Sequence, residues 1–385
     1  MTWRISFGVY LLAIFLSGAK EASGKEPRQI RETGGAFVGA TGCKSSSCHG
    51  GAGVKRSQFA TWSQQDFHSR SYAVLVNARS ARIGETLGMT QPQTNARCTV
   101  CHSPLQSVAP SRRTSTAHPD EGVSCESCHG AAGGWLRGHT RTDWNYGMRV
   151  SAGMHDLRSL YVRANACVAC HQNVEPDLIR AGHPELLFEL AGQSVAEPKH
   201  WADPASASGP RQWLTGQAVA LREMSWALSR GEQTETERAR WNALVWVLAK
   251  TLGVETMAPN SGAAAGANEF TEMERAADEL ARRAPTWNFD EAAILTLLRR
   301  FAAADSEFAV KPDAPRALLA RRAERLVPAV QRLAAAIDQS VRTRLNIDPA
   351  VQLLAEDTRP LEQFDAARFA AHLQNFGAAL AQPAR

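Results

Sequence analysis

Eight cysteines occur in this 385-residue chain, and all eight fall into four short units in which a histidine directly follows the second cysteine. The units are Cys43-x4-Cys48-His49, Cys98-x2-Cys101-His102, Cys125-x2-Cys128-His129 and Cys167-x2-Cys170-His171. Two thiols at this spacing can add across the vinyl groups of a porphyrin while the adjacent imidazole binds iron from the same side, which is how a c-type haem is anchored. Disulfides or two four-cysteine zinc sites would also use eight cysteines. Neither accounts for the histidine that closes every unit. The pattern therefore predicts four covalently attached c-type haems, with the eight cysteines as thioether donors and His49, His102, His129 and His171 as iron ligands. The first unit has two extra residues between its thiols, so its loop has to bulge to reach both vinyl groups.

The start of the chain reads as a signal peptide: Met1 to Arg4 is positive, Ile5 to Leu16 apolar, and Ser17 to Gly24 small, with cleavage expected after Ala19 or Gly24. The apolar run is about a dozen residues, short of the roughly 18 to 20 that cross a bilayer, so a cleaved leader and an exported, periplasmic, soluble chain are expected. Attachment of c-type haem outside the cytoplasm agrees with export. The net charge of +5 is uneven, residues 1–200 holding 21 Lys and Arg against 15 Asp and Glu. A local surplus of cations would offset haem propionates. No basic run points to nucleic acid. The expected partners are redox proteins that meet through complementary patches, membrane-associated quinol or cytochrome complexes among them.

The composition divides the chain into a leader (1–24), a haem domain (25–205) and a helical domain (206–385). Between the anchors the sequence is rich in Gly, Ser and Pro, and regular structure there is expected to be sparse, with porphyrins forming much of the core. A helical pattern over 57–87 carries His68. After the linker PASASGP at 204–210 the sequence turns to Ala, Leu, Arg and Glu, without cysteine. Leucine and tryptophan spacings predict helices around 214–228 and 241–252, a loop at 257–268, and helices near 269–284, 290–304, 315–343 and 361–380. Asp313 is the expected cap of the long helix and Pro328 its expected kink. The fold class is therefore mainly α: a multihaem domain with little sheet, followed by an all-α bundle. The bundle shows no chemistry of its own and is a candidate surface for protein contacts.

Six histidines outside the anchors are candidates for the four remaining axial positions: His68, His118, His139, His155, His183 and His200. His372 lies alone in the bundle and reads as a surface residue. The order of the units, the segment WSQQDFHSRSY, and GVSCESCHG followed closely by RGHT resemble the cytochrome c-554-type tetrahaem cytochromes, a family related to the haem core of hydroxylamine oxidoreductase. The resemblance covers about residues 37 to 200. It implies a mostly helical, haem-packed fold with porphyrins in close pairs and electron transfer along the irons. By the same resemblance His68 is expected on the third haem (His129), His139 on the first (His49), and His183 or His200 on the fourth (His171). The second haem (His102) can be five-coordinate in this family, or be capped by His118 or another free histidine. The x4 unit and the helical domain depart from the family pattern. Two functions follow as expectations: electron transfer through mostly bis-histidine haems, and, as the alternative, oxidoreductase chemistry on a small nitrogen or oxygen compound at a five-coordinate haem on His102. The surplus of histidines over axial positions favours the first.

Overall fold

The computed structural model describes residues 35–204, 207–231, 233–255, 266–309 and 315–381. The leader, Asp313 and most of the 257–268 loop lie outside the described residues. The chain is mainly α-helical, and the pairing recorded among the described residues is a single bridge between Phe37 and Arg113.

In the first half the helices are short and most serve an anchor. Three of the four units fold as helix: α1 (Ala96–His102), α2 (Cys125–His129) and α3 (Leu160–His171) each end on their iron-binding histidine. The helical turn places the two cysteines, three residues apart, on one face. Asn95 and Ser159 cap α1 and α3 with their side chains. The first unit is a turn instead. Cys48 N donates to Ser45 O at 2.9 Å and His49 N to Cys43 O at 3.3 Å, so the extra residues loop out and His49 returns beside Cys43.

The helix expected over 57–87 is broken into Gln58–Gln65, a 3-10 turn Phe67–Arg70, Ser71–Val74 and Ala78–Thr86. Asp66 makes the break. Its backbone is extended and its carboxylate accepts from His68 N at 2.8 Å, starting a new turn that carries His68.

Beyond α3 the chain forms α4 (Leu190–Ala196) and then the bundle: α5 (Gly209–Arg230), α6 (Glu235–Leu252), α7 (Ala267–Arg283), α8 (Glu291–Ala302), α9 (Arg316–Ala334), α10 (Gln339–Leu345), α11 (Asp348–Asp357) and α12 (Ala366–Leu380). A capping box between Thr234 and Glu237 opens α6, and Gly253 at φ 73° closes it. The long helix expected over 315–343 runs through Pro328 and stops at Ala334; Asp338 caps a separate α10 by accepting from Ser340 N at 2.8 Å.

The packing crosses the compositional boundary at 205. Ala164 and Val168 of α3, and Phe188, Leu190 and Ala191 of the following segment, belong to the same apolar core as Trp213, Phe270, Phe301 and Phe369 of the bundle. A polar bridge runs beside it: Arg222 donates to Asp278 at 2.7 Å and to Asn165, and Tyr161 Oη donates to Asp278 at 2.7 Å. The helix that ends in the fourth anchor is thus built into the bundle.

Candidate multihaem centre

Each anchor histidine faces one of the free histidines. The ring centres lie 6.1 Å apart for His49 and His139, 6.0 Å for His68 and His171, and 6.3 Å each for His102 with His183 and His129 with His200. Two imidazoles on opposite sides of one metal ion hold their ring centres about 6 Å apart, because each metal–nitrogen bond is about 2 Å and the ring centre lies about 1 Å further on. All four separations fit. The eight rings are half-buried.

In six of the eight rings Nδ1 has a partner of its own, which leaves Nε2 available as a ligand. Nδ1 of His102, His183 and His200 lies against backbone carbonyls of Ser71 (3.1 Å), Pro184 (2.8 Å) and Pro198 (3.3 Å), and that of His139 against Leu136 O. Nδ1 of His49 meets Gln58 Oε1 at 3.1 Å. His68 meets two carboxylates, Asp66 Oδ1 at 3.0 Å and Glu197 Oε2 at 3.3 Å. These contacts fix ring orientation and tautomer, as outer-shell partners of metal-bound histidines do. Burial, followed by neighbouring imidazoles, pushes His129 and His171 down to about 4, so both rings are neutral and have a lone pair to offer. The Asp66 and Glu197 hydrogen bonds hold His68 up at about 10.

The ring partners differ in part from those implied by the family resemblance. His139 stands opposite His49, the site the resemblance implies for it. His68 faces His171 and not His129, which is met by His200. His183 faces His102, the position for which an open face was allowed. His118 is exposed, and no ring pairing is seen for it or for His155 among the described residues. His155 instead binds Cys128 O through Nδ1 at 2.8 Å and packs beneath Gly130, where an added Cβ would meet its ring at 2.9 Å.

None of the eight cysteines forms a disulfide. Cys43 lies beside Cys125 of the third unit, and Cys101 beside Cys170 of the fourth, so the units stand as two close couples. The third unit also organises its surroundings. Glu126, 3% exposed, accepts from Val38 N (3.0 Å), Gly39 N (2.7 Å) and Ala132 N (2.6 Å), tying the segment before the first anchor to the turn after the third. Burial raises its pKa in spite of these donors. Ser71 Oγ donates to His102 O at 2.8 Å and accepts from Val123 N at 2.9 Å, linking the second and third units. None of these supports was legible beforehand, apart from the position of Glu126 inside GVSCESCHG.

His183 and His200 flank a strap that the bundle holds. Arg325 Nη1 donates to Phe188 O at 3.0 Å, Arg240 to Leu186 O, Arg321 to Glu185 at 2.6 Å and Arg332 to Glu189 at 3.1 Å.

Helical anchors ending in histidine, each opposed by a second imidazole, form an arrangement able to hold covalently attached haem. Residues 43–130 match the family described as cytochrome c554 and c-prime, which bears out the cytochrome c-554-type resemblance read from the sequence and covers the first three units. A cytochrome c family segment implies covalently bound c-type haem and haem-based electron transfer. No curated protein and no solved structure matches the chain.

Proposed function

We propose that this protein is an exported tetrahaem c-type cytochrome that passes single electrons between redox partner proteins. The observation that carries this reading is the opposition of rings: every anchor histidine has a free histidine across from it at 6.0–6.3 Å. Cys43, Cys48, His49 and His139 would hold the first haem, and Cys98, Cys101, His102 and His183 the second. Cys125, Cys128, His129 and His200 would hold the third, and Cys167, Cys170, His171 and His68 the fourth. A haem so held supplies a reversible one-electron change at its iron. The cysteines and paired histidines would hold each group, and the second imidazole would leave little room for a small ligand at the metal. The alternative, chemistry on a small nitrogen or oxygen compound, needs an open axial face, and His183 stands where that face was expected. The leader would direct export, and among the described residues no helix is long and apolar enough to cross a membrane. The partners would be periplasmic redox proteins or membrane-associated quinol or cytochrome complexes.

A pyridine haemochrome assay on the purified protein tests the count. Four haems per chain are expected; three would remove the x4 unit from the set, and none would overturn the reading.

A further inference from the structure

The second-nitrogen partners of the paired histidines differ in kind. Four of the rings lie against backbone carbonyls and one against a glutamine amide. His68 has two carboxylates, and they come from distant parts of the chain. Asp66, 5% exposed, belongs to the same turn as His68, whereas Glu197 follows α4 at the end of the strap. Two segments 131 positions apart therefore bring negative charge to one ring nitrogen. A carboxylate accepting from a metal-bound imidazole draws on its N–H more strongly than a carbonyl does, because it carries a full charge. The ring then becomes a more basic ligand. A more basic axial ligand and nearby negative charge both favour ferric over ferrous iron.

We propose that Asp66 and Glu197 are potential-setting residues, which through His68 give the haem anchored by Cys167, Cys170 and His171 the lowest reduction potential of the four. The proposal rests on the reading above, in which His68 and His171 share one iron. As electrons enter the protein, that haem is the last to be reduced, and it is the first to lose its electron. Its close neighbour across the Cys101 and Cys170 contact is the His102 site, where His102 and His183 both lean on backbone carbonyls. The couple would thus combine a low-potential member with a higher one, giving electrons a preferred resting place on the His102 side.

The test is a spectroelectrochemical titration of the full-length, four-haem protein at one pH, comparing the parent with Asp66→Asn, Glu197→Gln and the double variant. Each substitution keeps the size and one acceptor oxygen while removing the charge, so the side-chain amide in Asp66→Asn can still accept from His68 N. The lowest-potential component is expected to move upward in each variant and furthest in the double variant, with the other three in place and every haem low-spin. Four unmoved components, or movement confined to a component other than the lowest, would overturn the proposal. Should Asp66→Asn load fewer haems, Glu197→Gln alone decides, since Glu197 lies outside the turn. His68→Ala separates tuning from ligation. If it yields one high-spin haem while the carboxylate variants change nothing, the tuning fails and the ligation stands; if it leaves every haem low-spin, the assignment of His68 to an iron fails.

Discussion

His68, His183 and His200 show what single residues reveal before and after the structure. The anchors are read from the sequence itself, because covalent attachment imposes a spacing that a linear sequence displays. The axial partners were not, because an imidazole that reaches an iron across space leaves no local signal. The resemblance implied His139 for the His49 site and His68 for the His129 site; in the structure the ring of His139 lies opposite His49, that of His68 opposite His171 and that of His200 opposite His129. The supporting groups were also hidden. Glu126 could be seen inside its motif, but nothing in the sequence says that its carboxylate collects three backbone N–H groups from two segments. At this scale the ring pairs lead to a two-part prediction. His183→Ala should convert one low-spin haem into a high-spin one able to bind carbon monoxide, whereas His118→Ala, at an exposed site, should leave the absorption spectrum unchanged. A silent His183→Ala would remove that residue from the ligand set.

Among the elements, the helices of the second half followed from apolar spacing and capping residues, and most formed where expected. Two expected helices broke, and in each case an aspartate restarts the chain by offering its carboxylate to a backbone N–H two residues on: Asp66 before His68, and Asp338 before Ser340 after the long helix has ended at Ala334. Periodicity spans such a break because the apolar rows continue on either side; the competing local hydrogen bond decides it. The strap between His183 and His200 was legible only as a segment with two histidines. Its hold depends on arginines contributed by helices far along the chain. Arg325 is the most demanding of these, 2% exposed and donating to both Phe188 O and Gln217 Oε1 (3.1 Å). Burial lowers its pKa to about 9, with Glu324 working against that shift. Arg325→Met should leave those two acceptors unpaired in a closed core, at about 1–3 kcal/mol for each group. Denaturant unfolding of the haem-loaded protein measures the loss. An unchanged midpoint would mean that the strap is held without Arg325.

For the whole molecule, composition suggested two domains in series, and the structure joins them through one core. The change at residue 205 is real in the sequence: cysteine disappears and Ala, Leu and Arg rise. What composition cannot express is that the apolar side of α3 needs a cover, and that α5 supplies it. Arg222, Asp278, Tyr161 and Asn165 fasten the same contact with a polar network whose members are spread over more than a hundred residues. The bundle thus backs the fourth anchor and grips the strap that carries His183 and His200, so it bears on three of the four proposed haem sites. The central claim, that all four haems are capped on both sides, is most directly tested by electron paramagnetic resonance of the oxidised four-haem protein with spin quantitation. Four low-spin ferric centres per chain are predicted, with a spectrum indifferent to added nitric oxide donors, nitrite or azide. A high-spin ferric signal amounting to one haem per chain, and shifting when such a ligand is added, would contradict the claim.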